Sequence, residues 1–187
     1  QGCSKFLKRY PETELYAPVR YLMALGGKRL RPVLVMAACE ASGGRPEEAL
    51  PAALAVELFH NFTLMHDDIM DDAPLRRGMP TVHEKWDNNT AILSGDALHV
   101  MACEALLDAP DKALPDLLRT YHRTALEVCE GQEQDMAFES RRDVTIEEYM
   151  EMIRLKTSVL LAAALDMGGK SAGADRQTRE ALYEFGL

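Results

Sequence analysis

Apolar positions recur along this chain at intervals of three and four residues, in segments separated by Gly and Pro. That pattern predicts helices joined by short loops. A short amphipathic helix is predicted over 13–25, with Leu15, Val19, Leu22 and Met23 facing inward. Gly26-Gly27-Lys28-Arg29-Leu30-Arg31-Pro32 follows, and Pro32 suits the first turn of a helix over 32–42 that ends at Ser42-Gly43-Gly44. After a loop with Pro46, a long helix is predicted over 48–72, with Pro51 tolerated in its first turn. Residues 73–80 read as a loop, and Pro80 opens a short helix holding Thr81 and His83. Helices over 88–107 and 112–138 flank the break Asp108-Ala109-Pro110-Asp111. Gly95 falls inside the first of these, where glycine costs about 1 kcal/mol relative to alanine, so close packing against a neighbour is expected there. Thr145, with Glu148 three residues on, reads as a capping box opening a helix over 146–167 that Gly168-Gly169 stops. A last helix is predicted over 174–185. No alternating run demands a strand and no repeat or linker divides the chain, so one all-α domain over 1–187 is expected.

The polar residues that interrupt this pattern concentrate in one place. The long helix is mostly apolar until His60-Asn61-Phe62-Thr63-Leu64-Met65-His66-Asp67-Asp68-Ile69-Met70-Asp71-Asp72, and Arg76-Arg77-Gly78 follow closely. At about 100° per residue, Asp67 and Asp71 share a face one turn apart, with His60 two turns back. Four carboxylates within six residues repel one another unless a cation neutralises them. Hydrated Mg²⁺, which takes one or two protein carboxylates together with substrate phosphates, is suited to that. The paired arginines are suited to phosphate oxygens. A solvated helix end would carry clustered acids too, but these continue a segment whose composition belongs in a core. Two glycines beside Lys28 and Arg31 would let backbone N–H groups approach an anion. Gln132, Asp135 and Glu139 recur on one face of the 112–138 helix, either as a solvated face or as part of a site. Lys156-Thr157 interrupt an apolar stretch, where the lysine either snorkels or serves a buried anion.

Composition agrees with helices, at 47% hydrophobic but 6% aromatic residues. A net charge of −9 argues against general affinity for nucleic acid or anionic membranes, while leaving room for a local basic pocket. No apolar run reaches the roughly 18 residues that cross a bilayer, so stable membrane insertion is not expected. Cys3, Cys39, Cys103 and Cys129 have no metal-binding spacing and read as reduced core residues of a cytoplasmic protein. The start, at Gln1, reads as trimmed, and both ends read as limits of a longer chain.

Taken in order, Gly-Gly-Lys-Arg-Leu-Arg-Pro from Gly26, His60 seven residues before Asp67-Asp68-x-x-Asp71, Arg76-Arg77-Gly78, Gly131-Gln132-x-x-Asp135 and Lys156-Thr157 resemble the trans-isoprenyl diphosphate synthases. These are the farnesyl and geranylgeranyl diphosphate synthases and their polyprenyl relatives, and the resemblance runs from about residue 15 to the end. It implies an all-helical isoprenoid-synthase bundle around a deep central cavity, usually a homodimer. It further implies that Asp67 and Asp71 ligate Mg²⁺ bridging to the diphosphate of an allylic substrate, which Arg76, Lys156 and Thr157 also contact. Lys28, Arg31, His60 and Arg77 would bind the diphosphate of isopentenyl diphosphate, with Gln132 and Asp135 lining the same cavity. Residues four and five before the first Asp set product length in the family. Here they are Thr63, which helical geometry places within about 40° of Asp67, and Phe62, about 140° away. One aromatic with one small residue suggests a geranylgeranyl-length product, with farnesyl as the next choice.

The chain departs from the family in stopping before a second Asp-rich motif, so these 187 residues alone are expected to lack full competence. Two other readings stand beside the synthase. A non-catalytic partner subunit would show degenerate acids or arginines. A class I terpene cyclase shares the acids and Mg²⁺ but has no use for a second diphosphate site such as Lys28, Arg31 and His60.

Overall fold

The structure is a computed structural model that describes residues 2–187. It divides into two compact units, residues 2–29 with Leu54–Ala105, and Leu30–Ala53 with Leu106–Leu187.

In the first unit, α1 (Gly2–Leu7) precedes α2 (Ala17–Ala24). The sequence pattern misses α1 and starts α2 too early. Leu15 therefore lies outside the helix and is 38% exposed, while Val19, Leu22 and Met23 are buried as expected. Most of α4 (Leu50–Met70) belongs here and buries Ala55, Leu58, Phe59 and Met65. The segment expected as a bare loop contains a minimal hairpin, β1 (Leu75–Arg76) with β2 (Met79–Pro80), before α5 (Val82–Lys85) and α6 (Asn88–Leu106). Gly95 of α6 has the close neighbour that its position implies. A Cβ there would stand 2.2 Å from His66 Nε2, and that ring nitrogen lies 3.2 Å from the Ile92 carbonyl.

The second unit is built around α9 (Val159–Ser171), against which α3 (Leu30–Ala41), α7 (Leu114–Phe138) and α10 (Arg176–Gly186) pack. Small side chains let α9 be surrounded: Ala162, Ala163 and Ala164 are fully buried. Gly168 and Gly169 do not stop this helix, contrary to the sequence expectation. They lie inside it, and a Cβ on Gly168 would meet the Val35 carbonyl oxygen at 2.2 Å. The stop comes at Gly173 (φ 72°), where the N–H groups of Gly173 and Ala174 bond back to the carbonyls of Lys170 and Gly169. That is a Schellman ending, with glycine in the left-handed position that a Cβ disfavours.

The helix expected over 146–167 is also broken differently. α8 (Ile146–Ile153) opens on the expected capping box, with Thr145 Oγ1 accepting from the Glu148 N–H. A π-helical turn (Arg154–Ser158) then separates it from α9. Gly131 of α7 lies beneath that turn, where a Cβ would come 2.4 Å from the Lys156 backbone nitrogen. Cys39 is buried, but Cys3 and Cys103 are half-buried and Cys129 is exposed, so the thiols are not a core set. Among the described residues, no helix is long and apolar enough to cross a membrane.

Candidate active site

The acid cluster occupies the C-terminal turn of α4 and the residues just beyond it. Backbone carbonyls already present partial negative charge at such an end, so four carboxylates there raise the demand for cations. The helix closes with the Asp72 N–H on the Ile69 carbonyl (3.2 Å) and the Ala73 N–H on the Asp68 carbonyl (2.9 Å). Asp72 takes the left-handed position, at φ 48°. The Asp71 N–H bonds the Asp67 carbonyl at 2.9 Å, which keeps these two acids one turn apart. Asp67 is half-buried and Asp71 exposed.

Asp68 points inward, at 2% exposure, and takes Arg76 as its partner. Arg76 Nε donates to both carboxylate oxygens at 2.9 and 2.8 Å, and Nη2 reaches Oδ1 at 2.7 Å. The same Nη2 lies 3.8 Å from Asp67 Oδ2. Burial alone would lower the Arg76 pKa. The bond to Asp68 and the charges of Asp68, Asp67 and Asp71 outweigh it and push the pKa up, so this guanidinium is firmly charged. Arg76 thus has a structural partner that the spacing of acids and arginines did not reveal.

The hairpin after Arg76 turns through Arg77 (φ 54°) and Gly78 (φ 77°). Two positive φ values in a row are what a two-residue hairpin turn of type I′ demands. An arginine in that position is strained where asparagine or glycine would sit more easily. The Arg77 guanidinium lies over Gly27, close enough that a Cβ there would come within 2.9 Å of it. The far strand is fastened by Tyr21 Oη, which donates to the Pro80 carbonyl at 2.7 Å, and Lys85 Nζ sits 3.8 Å above the Tyr21 ring.

The glycine loop has an anchor of its own. Arg29 (φ 50°) pairs with Glu57 of α4 and donates from Nη2 to the Met23 carbonyl at 2.7 Å. Glu57, 3% exposed, also accepts from Asn61 Nδ2 at 3.0 Å. Neither Arg29 nor Glu57 stands out from motif spacing. A glutamate inside an apolar helix, one turn before Asn61, was the available signal. With Arg29 held down, Lys28 is left exposed beside Gly27.

His60 is half-buried, and its carbonyl accepts from Thr63 Oγ1 at 2.8 Å. Phe62 joins an aromatic cluster, with ring centroids 5.5 Å from Phe59, 4.7 Å from His66 and 5.1 Å from His99. Phe62 and Thr63 are therefore packed differently, the one among rings and the other bonded to its own helix.

The remaining candidates belong to the second unit. Arg31 lies in the first turn of α3. Lys156 sits in the π-helical turn and donates to Asp135 Oδ2 of α7 at 2.6 Å, with Thr157 beside it exposed. Gln132, one turn before Asp135, holds a buried side-chain Nε2 with no hydrogen-bond partner among the described residues. A π-turn in this register needs Gly131 beneath it, so Gly131-Gln132-x-x-Asp135 and Lys156-Thr157 form one arrangement on two helices. π-turns are frequent at functional sites.

As donors, the carboxylates of Asp67 and Asp71 offer hard oxygen atoms one turn apart beside a charged arginine, a set that fits a hydrated divalent cation.

The polyprenyl synthetase family model matches residues 12–187. A geranylgeranyl diphosphate synthase of Methanosarcina mazei is 50% identical over 175 residues, which are 92% of this chain and 54% of that protein. A crystal structure of a geranylgeranyl pyrophosphate synthase aligns with a TM-score of 0.96 at 50% identity, over 98% of this chain and 56% of that one. A polyprenyl synthase from Caulobacter crescentus, solved in complex with calcium and isoprenyl diphosphate, aligns with a TM-score of 0.90 at 32% identity. That alignment covers 99% of this chain and 56% of the other. The all-α fold is the one these structures share, and the chain spans about half the length of its relatives.

Proposed function

This chain belongs to the polyprenyl synthetase family, and from that premise we propose that the whole protein is a trans-prenyltransferase. It condenses isopentenyl diphosphate with an allylic prenyl diphosphate and releases diphosphate. The observation that carries this reading is the joining of acids and arginines in one unit. Asp67 lies within 3.8 Å of Arg76, and Arg77 is seated on the Gly27 backbone next to Lys28.

Breaking the allylic carbon–oxygen bond leaves an allylic cation and a diphosphate that gains negative charge. Arg76, fixed against Asp68, presents charge toward the Asp67 side without having to be reorganised during the reaction, the kind of electrostatic stabilisation that counts most. Asp67 and Asp71 would hold Mg²⁺, which supplies Lewis-acid charge to the leaving diphosphate. Lys156 and Thr157 serve the same diphosphate. The unpartnered Gln132 amide is a buried donor suited to an oxygen acceptor. Lys28, Arg31, His60 and Arg77 take the diphosphate of isopentenyl diphosphate, whose double bond attacks the cation. The proton then lost from the adjacent carbon goes to the departing diphosphate. No protein nucleophile is required.

The product is of geranylgeranyl length, with Thr63 and Phe62 closing the pocket floor, and the protein works as a cytoplasmic homodimer. The Methanosarcina relative supports that length by name. The test is to incubate the whole protein with Mg²⁺, labelled isopentenyl diphosphate and allylic starters. Elongation of a starter, lost on adding a chelator, is expected. Failure to lengthen any starter would remove the proposal. Thr63→Phe should shorten the product, and an unchanged product length would refute the floor assignment.

A further inference from the structure

We infer that Asp72, His83 and Glu84 form a second metal site, for a borderline transition-metal ion of the Zn²⁺ class, separate from the carboxylates of Asp67 and Asp71. His83 is 8% exposed, and neither ring nitrogen has a hydrogen-bond partner among the described residues. A buried imidazole without a partner calls for an explanation. One donor atom from each of His83, Asp72 and Glu84 lies within 4.8 Å of the other two, and His83 Nε2 is 4.0 Å from Glu84 Oε1. Both carboxylates are exposed and can swing inward without disturbing packing. Zinc bonds of about 2.0–2.2 Å place tetrahedral donors roughly 3.3 Å apart, so closure asks for movement of about 1 Å.

The backbone already brings the two segments together. Thr81 Oγ1 donates to the Ala73 carbonyl at 2.7 Å, and the Thr81 N–H to the Pro74 carbonyl at 3.2 Å. Asp72 leaves α4 in the left-handed conformation, and His83 and Glu84 lie in the short α5. Two carboxylates and a neutral imidazole balance a divalent ion. The imidazole also distinguishes this site from an all-oxygen Mg²⁺ site. Asp72 and His83 bracket the hairpin that presents Arg76 and Arg77, so an ion here would clasp that hairpin at its base.

The inference does not depend on prenyl transfer, and its test reads binding. The whole protein, stripped of metal with a chelator and held in excess Mg²⁺, is titrated with Zn²⁺ by calorimetry, and with Co²⁺ by visible absorbance. One ion per chain is expected, with slowed amide exchange across residues 73–81. Asp72→Asn and Glu84→Gln, both at exposed positions, should each weaken binding by about tenfold or more, by analogy with the effect of disturbing a ligand's support. His83→Ala should abolish binding, and Asp67→Asn should leave it intact. Binding unchanged in both Asp72→Asn and Glu84→Gln would overturn the site, as would its loss in Asp67→Asn.

Discussion

Two helices of this protein end in the same backbone arrangement and are put to different uses. α9 closes with Gly173 in the left-handed position, and its last turns carry glycines that let α3 and α10 approach. α4 closes through the same pair of hydrogen bonds with Asp72 in that position, and its last turn carries acids. Glycine adopts this conformation without strain, whereas an aspartate does so at some cost. α9 therefore ends as packing requires. α4 ends against its own backbone preference and against its dipole, and strained residues of that kind gather at functional sites. Arg29 and Arg77, also at positive φ, lie in the glycine loop and the hairpin, with the Arg77 guanidinium over Gly27.

Four substitutions would sharpen or break that contrast, each read by urea denaturation with circular dichroism. Gly168→Ala should cost about 3 kcal/mol, because the new methyl meets a backbone carbonyl that cannot step aside. A loss under 1 kcal/mol would show that α9 is not packed to its backbone. Asp68→Asn should cost about 2 kcal/mol by depriving the partly buried Arg76 of its carboxylate, less than a fully buried pair because the guanidinium retains some solvent. Gly173→Ala should cost about 1 kcal/mol through the left-handed cap. Asp72→Gly should run the other way and stabilise by about 0.5 kcal/mol in metal-free buffer. Destabilisation there would mean that the Asp72 side chain supports the fold, and the contrast between the two ends would fail.

What could be read from the sequence was what is local. Thr145 and Glu148 cap a helix by contacts three residues apart, and spacing reveals such contacts directly. Gly95 announced a close neighbour, yet only the fold identifies it as His66. Gly168-Gly169 misled because a glycine that ends a helix and one that admits a neighbour look alike in a string. The difference is a φ value, and it falls at Gly173. The π-turn at Lys156 was hidden because it depends on Gly131, far away in the chain. At the candidate site the residue types were legible, but their pairing was not. Nothing in the spacing says that Arg76 takes Asp68, or that Arg29 is tied to Glu57 while Lys28 is left exposed.

The most direct test of the end of α4 as a seat for metal and diphosphate is hydrogen exchange on the whole protein with Mg²⁺, with inorganic diphosphate, and with both. Protection of residues 67–72 only when both are present, and its disappearance in Asp67→Ala, is the expected result. Equal protection by diphosphate without Mg²⁺, or protection confined to other segments, would contradict it.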